Sequence, residues 1–385
     1  MLRYLTAGES HGRALLALVD GFPGGVSLDT DLIDAELIRR QGGYGRGGRQ
    51  KIETDHVEVL SGTWRGVTLG SPIALLIPNR DHKIEGMDDL DRPRPGHGDL
   101  SGSIKYLGPI RAILERASAR ETAARVAAGA LARQLLEPLG ITAFGYVTEV
   151  GPIGVPPSPS LISSTLQQQR AARDRSELFT LDPDRDGQIK ELIDSTRQAG
   201  DTLGGVVEVR VEGVPFGLGT HAQWDLKLDA LLARAAMSVQ AIKGVEIGMG
   251  FDSARQAGSK VHDPIQYDAD RARTPTLGFV RPTNNAGGIE AGMSNSQPII
   301  VRAAMKPIST LREALPSVNL RTLEPESASH ERSDVCAISA TSVIVENAVA
   351  FEIARAVVDK FGGDALQEIQ ARWKLFQEMA GQKLG

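Results

Sequence analysis

The sequence predicts an α+β or α/β sandwich in which two similar halves share one core. Three observations point there. The first is a duplication: Ala7–Gly25 reads AGESHGRALLALVDGFPGG and Ala199–Gly217 reads AGDTLGGVVEVRVEGVPFG, aligned without a gap. Both copies keep Ala-Gly, an acid, a hydroxyl residue and a Gly, then acid-Gly-x-Pro-x-Gly. The second is that strand-like and helix-like patterns alternate after each copy. The third is size: 385 residues, 41% of them hydrophobic, suffice for a large buried core. One position breaks the duplication, because His11 in the first copy faces Leu203 in the second. Chemistry placed on one of two similar half-sites would leave that mark.

The elements follow in order. Arg13–Val19 is an apolar run between glycines, and its twin Val206–Val211 alternates with period two, so both read as strands. Asp29 or Thr30 can cap a helix over Asp31–Arg40, with Leu32, Ile33, Leu37 and Ile38 on its apolar side. The twin helix is expected around Asp229–Gln240, where DALLARA echoes DAELIRR. Arg39–Lys51 is a basic glycine-rich loop, Val57–Leu60 and Ile73–Ile77 read as strands, and Asn79–Pro95 is a polar loop. Alanine and helical spacing predict one long helix over about Ile113–Leu136. Gly151–Ser160, with its prolines, is a connector, and Leu161–Ala199 is a polar, helix-prone spacer. Asn284–Gln297 is another glycine-rich loop, and Ala340–Phe361 and Asp364–Gln377 read as amphipathic helices. Residues 1–385 are therefore expected to form a single domain, with repeat halves at about 1–150 and 199–385 and a spacer at 151–198.

The net charge of −5 does not fit a protein whose whole surface grips nucleic acid. The single cysteine, Cys336, cannot form an internal disulfide, which suits a reducing cytosol. The start, MLRYLTAGESHG, lacks the pattern of a secretory leader, and no run approaches the ~18 apolar residues of a membrane span. A cytoplasmic protein without nucleic-acid or membrane partners is expected.

Two segments imitate other functions. Asp182–Ile193 resembles a calcium loop, but its last position holds Ile193 where a bidentate carboxylate is needed. GGYGRGG resembles an RNA-binding segment, yet it is one short copy and better suits a structured anion-binding loop. There is no C-x-x-C, H-E-x-x-H or cluster of histidines, so no metal site is expected, and no P-loop pattern is present.

Chemistry concentrates in a few segments. His11 stands in Gly8-Glu9-Ser10-His11-Gly12-Arg13, on a turn that can face a cleft. His97 follows a stiff Arg92-Pro93-Arg94-Pro95-Gly96 and precedes Asp99, which can orient the ring or cap the next segment; alone it fits a turn as well as an active site. Arg116, Ser118 and Arg120 surround a helix start, either a phosphate site or a capped helix with solvated arginines. Lys306-Pro307-Ile308-Ser309-Thr310 offers a cation, a turn and two hydroxyls. Glycine loops rich in Arg and His favour a small substrate with several negative charges.

GESHG, RRQGGYGRG, RPRPGHGD, ERASARETAARVAAGA, KGVEIG, NNAGGIEAGMSNSQ, KPIST and ERSDVCA occur in this order. Together they resemble the chorismate synthase family over nearly the whole chain. The resemblance implies a cytosolic homotetramer with that family's β-α sandwich and internal pseudo-twofold symmetry. It implies conversion of 5-enolpyruvylshikimate-3-phosphate to chorismate with loss of phosphate, the last step of the shikimate pathway, using reduced FMN (FMNH2) without net redox change. By resemblance, Arg40, Arg46, Arg120 and Arg332 clamp the substrate's anions, with Ser10 and Ser118 hydrogen-bonding. His11 resembles the acid that protonates the departing phosphate, His97 the partner of the reduced flavin, and Asp334 the base that takes the ring proton with it. FMN would rest on Arg116, Ala117, Ser118, Gln240, Ala241, Ala291, Lys306, Pro307, Ile308, Ser309, Thr310 and Arg332. Gly98 stands where the family usually has Ala, Ala117 where a second Ser is usual, Ile338 where Val begins the segment, and the 79–92 segment is short. Some family members reduce the flavin with NAD(P)H; no G-x-G-x-x-G follows a strand here, which favours an outside reductant.

Overall fold

Two antiparallel sheets enclose a double layer of helices, and the second sheet repeats the strand order of the first. The computed structural model describes residues 1–48, 53–162, 164–329, 331 and 333–384. The first half runs β1 (Arg3–Ala7), β2 (Ala14–Asp20), α1 (Thr30–Gln41), β3 (Glu58–Val59), β4 (Ile73–Pro78), α2 (Asp99–Tyr106), α3 (Ile110–Ala117) and α4 (Thr122–Leu136). Next come β5 (Thr142–Val150), α5 (Leu166–Arg175), α6 (Asp186–Gln198), β6 (Gly205–Glu212) and α7 (Leu228–Met237). The chain closes with β7 (Ile242–Ile247), β8 (Ile299–Met305), α8 (Ile338–Phe361) and α9 (Leu366–Leu384). The sheets order as β1-β2-β4-β3 and β5-β6-β8-β7, with the short strand Ile153–Gly154 beyond β5.

Period-two alternation explains the inner faces. Leu15, Ala17 and Val19 of β2 pair with Ile77, Leu75 and Ile73 of β4, and all six are buried. The second sheet matches this with Val207, Val209 and Val211 of β6 opposite Ala303, Val301 and Ile299 of β8. α4 covers β2 and β4, α8 covers β5 and β6, and the two helices pack on each other. They cross closely at Gly129, where a Cβ would sit 2.3 Å from the Asn347 carbonyl oxygen.

Several expectations need correction. The division near residue 150 fails, because β5 pairs with β6 in the second sheet. The second half therefore begins before the spacer, and 151–198 is an insertion inside it. The long helix is broken at Ser118, whose extended ψ of 140° separates α3 from α4. α8 is buried nearly all round rather than amphipathic, because it lies between α4 and the second sheet. In α1, Asp29 caps Asp31 as expected, and Ile33 and Leu37 are buried; Leu32 and Ile38 are exposed, since the core reaches only one stripe of the helix. Arg39 and Arg40 belong to the last turn of α1 rather than to the basic loop, whose residues 49–52 lie outside the described residues.

The insertion has a packing role. Phe144 and Tyr146, on the outer face of β5, form a small second core with Leu181, flanked by Leu161 and Leu166. The outer face of the first sheet has no such cover among the described residues: Leu5 is 64% and Leu18 43% exposed. No helix among the described residues is long and apolar enough to cross a membrane.

Candidate active site

α4 and α8 begin at one end of the sandwich, and a cavity of about 410 Å³ opens there, lined by residues at both helix starts. The positive ends of both helix dipoles thus meet one space, which suits an anionic ligand. Both halves contribute. The first supplies Ser10, His11, Arg40, Arg46, His97, Ala117, Ser118 and Arg120; the second supplies Gln240, Ala241, Lys306, Ile308, Ser309, Thr310 and Asp334. Arg332 lies outside the described residues. Pro307 carries the backbone between lining residues without lining the cavity itself. Arg116 is turned away, donating to the Thr6 and Gly8 carbonyl oxygens and to Thr6 Oγ1. Ala291 sits in the tight turn between Ile289–Glu290 and Met293–Asn295, on a separate small sheet, and does not line this cavity.

A buried ionic network sets the arginines. Asp55 Oδ2 accepts from Arg40 Nη2 at 2.7 Å, and both Asp55 oxygens accept from Arg120 Nη1 at 2.7 Å. Arg120 also donates from Nε and Nη2 to Asn79 Oδ1 at 3.0 and 2.8 Å. Burial pulls Arg40 down to about 10, opposed by the Asp55 carboxylate, so it stays charged at neutral pH. Glu53 Oε2 lies 3.8 Å from Arg120 Nη2, so two buried carboxylates face these two guanidinium groups. Arg46 is matched by Asp334, Nη1 to Oδ2 at 2.9 Å, and Asp334 Oδ1 accepts from the Gly47 N–H at 2.6 Å. Among the described residues, the Nε atoms of Arg40 and Arg46 are buried with no hydrogen-bond partner, a costly condition that an anionic ligand would relieve.

Each histidine has a carboxylate on Nδ1. His11 Nδ1 lies 2.9 Å from Glu115 Oε1, and the His11 N–H donates to Glu115 Oε2 at 2.7 Å. Burial would raise the Glu115 carboxyl, but the two His11 hydrogen bonds and the nearby His11 and Arg111 charges outweigh it and hold it low. His97 Nδ1 meets Asp99 Oδ1, and Asp99 also accepts from Arg94 Nε at 2.8 Å and Arg94 Nη2 at 3.0 Å. Burial again opposes, and the hydrogen bonds from His97 and Arg94 win, keeping Asp99 well below the usual carboxylate range. Arg94 Nη1 donates to Thr310 Oγ1 at 2.9 Å, tying this histidine loop to the Lys306–Thr310 segment. Lys306 Nζ donates to the carbonyl of Gly96, whose φ of +76° suits glycine. Burial, then the Lys243 charge, lowers the Lys306 ammonium. Gln240 donates from Nε2 to Glu121 at 3.0 Å, while its Oε1 is buried without a partner.

Sequence reasoning did not single out Asp55, Asn79, Arg94 or Glu115. Glu115 and Arg94 carried a signal, as members of the ERASARET and RPRPGHGD segments. Asp55 and Asn79 sit in ordinary polar loops, and nothing in their neighbours distinguishes them.

A sequence model described as chorismate synthase matches residues 2–358. The chain is 52% identical over 387 residues to a protein named chorismate synthase from Geobacter metallireducens, covering 97% of this chain and 98% of the relative. It is 52% identical over 395 residues to one of the same name from Desulforamulus reducens, covering 99% and 100%. A solved structure described as a chorismate synthase crystal structure superposes with a TM-score of 0.79 at 39% identity, covering 99% of this chain and 98% of that one.

Proposed function

The chain belongs to the chorismate synthase family, carbon–oxygen lyases of the last shikimate-pathway step in aromatic biosynthesis, and from that premise we propose how its cleft works. The substrate is 5-enolpyruvylshikimate-3-phosphate, with two carboxylates and one phosphate. Arg40, Arg46, Arg120 and Arg332 take these anions, and bidentate guanidinium geometry suits them better than lysine does. Ser10 and Ser118, whose hydroxyls lie 3.1 Å apart, add hydrogen bonds. His11 holds a proton on Nε2 and gives it to the phosphate oxygen as the ring C–O bond breaks. Asp334 accepts the ring proton; both its oxygens already take a hydrogen bond or ion pair, but a carboxylate keeps further lone pairs for the purpose. His97, held by Asp99, keeps a second protonated nitrogen at the cleft.

The cleft also fits a flavin. Leu114, Val239, Met305, Ala337 and Ile344 give it an apolar wall, and the unpartnered Gln240 Oε1 offers an acceptor to a ring N–H. Lys306, Ser309 and Thr310 would hold the cofactor with Ser118, Ala241 and Arg332. Reduced FMN, when bound, lends electron density to the elimination and recovers it. The assembly proposed is a homotetramer, and the exposed Leu5 and Leu18 on the outer face of the first sheet offer apolar surface for association.

The observation that carries this reading is the pair of Nδ1-anchored histidines in a cleft with unsatisfied buried arginine donors. The test is anaerobic: supply 5-enolpyruvylshikimate-3-phosphate and chemically reduced FMN, then follow phosphate. Stoichiometric release is expected. Its absence from folded, FMN-binding protein overturns the reading.

A further inference from the structure

We propose that Glu115 is the positioning residue for His11, fixing the ring so that Nε2 alone faces the substrate. This rests on the reading of His11 as the proton donor. The Glu115 side chain has no exposed surface, yet it carries a charge-accepting group in the middle of an ion-paired chain. It makes two separate bonds to one residue, taking the His11 backbone N–H at 2.7 Å and facing the ring Nδ1 at 2.9 Å. The first bond locks the turn and the second locks χ1 and χ2. The Glu115 main chain adds a third tie, accepting the Ser10 N–H at 2.9 Å.

An ionised carboxylate only accepts hydrogen bonds. Nδ1 must therefore carry the hydrogen of that contact in either charge state of the ring. The neutral ring is held as the Nδ1–H tautomer, and only Nε2 gains or loses a proton. The other charges around the ring are consistent with this. Arg111 Nη1 lies 3.8 Å from Glu115 Oε1 and balances it, while Arg111 Nη2 is held by Glu331 at 2.9 Å. Asp81 Oδ2 lies 3.8 Å from His11 Nε2, beyond hydrogen-bond reach, and Lys83 holds that carboxylate at 3.0 Å. Among the described residues, Glu115 is the side chain within hydrogen-bond distance of a His11 ring nitrogen.

The contact predicts a specific pattern. Glu115→Gln should lower kcat by about 10–100-fold, in the range of lost outer-sphere partners of histidine, and leave KM within about threefold. His11→Leu and the double variant His11→Leu/Glu115→Gln should be equally slow, since Glu115 acts through the ring. Independently of catalysis, 15N spectra of the imidazole should show His11 as Nδ1–H in the full-length wild type and a loss of that preference in Glu115→Ala. Unchanged kcat in Glu115→Gln, additive losses in the double variant, or an unchanged tautomer in Glu115→Ala would each overturn the proposal. If His11→Leu keeps its kcat, the proton-donor reading fails instead, and the tautomer measurement still decides the positioning.

Discussion

The two copies of the repeat use one backbone device for two purposes. In the first, the Ser10 N–H donates to the Glu115 carbonyl at 2.9 Å, just upstream of α4. In the second, the donor stands one position further on: the Leu203 N–H donates to the Val335 carbonyl at 2.8 Å, just upstream of α8. Each copy thus ties its turn to the lead-in of its own central helix. What differs is the side chain beside that tie. His11 finds a buried carboxylate, whereas Leu203 packs against the core. One helix further on, Arg40 is buried against Asp55, and its twin Ala235 packs apolar surface. A symmetric scaffold therefore delivers two helix N-termini to one cleft, and asymmetric substitution divides the work there. The first half holds both histidines and the Arg40, Arg46 and Arg120 guanidinium groups, and the second supplies Asp334, the Lys306–Thr310 segment and Gln240.

That contrast can be broken in graded steps. Asp55→Ala should give the largest effect, about 3–5 kcal/mol of stability, because it removes the carboxylate paired with Arg40 in the interior and leaves Arg120 only Asn79 and the more distant Glu53. Denaturant unfolding reads it, and the equivalent edit near Ala235 has no charge to strand. Next is His11→Leu, which turns the first copy into the second. It should slow phosphate release by about a hundredfold or more while FMN binding, followed by fluorescence, persists. Gly129→Ala forces α4 and α8 apart where a Cβ would meet backbone at 2.3 Å. A cost of about 1–3 kcal/mol and a lower Tm are expected. Leu203→His is the converse swap. It should cost about 1 kcal/mol and bring no activity, since Leu203 meets main-chain groups and apolar side chains rather than a carboxylate.

The smallest effect is on acid stability. Against the cost of burial, the Arg133 and Arg39 charges hold Glu36 at about 2, and Asp55, Asp99 and Glu115 are also held low. Carboxyls lowered on folding stabilise the protein above their unfolded values, about 4, and lose that contribution as pH falls through the folded values. Stability should therefore decline from about pH 4 toward pH 2, with Asp55→Asn showing a shallower decline in urea titrations at each pH.

Much of this was legible in the sequence. Period-two alternation gave β6, because a strand with one buried face must alternate, and the repeat carried the reading to β2; β4 was read as a strand too, while β8 was not singled out. Asp29 announced the start of α1 because capping is a local hydrogen bond. The repeat exposed His11 by contrast with Leu203, and the motif order pointed to the family. The break at Ser118 was hidden, because alanine-rich neighbours favour helix and the reason to stop is remote: Arg120 pairs with Asp55 and Asn79. The start of the second half was hidden too, since β5 lies outside the duplicated segments and only its pairing with β6 assigns it. α8 looked amphipathic because periodicity cannot tell that a second layer will cover its other side.

The sequence by itself determined the duplicated architecture, the identity of the histidines and arginines, and the family they belong to. These are carried by local patterns and residue types that need no partner to be read. The tertiary structure alone decided the partners. His11 meets Glu115 across 104 positions, and Gln240 meets Glu121 across 119. It also decided that Arg116 turns to β1 and that Ala291 stands away from the cleft. A buried charge is settled by whichever opposite group the fold brings within hydrogen-bond distance, and that distance is a property of packed layers rather than of spacing along the chain.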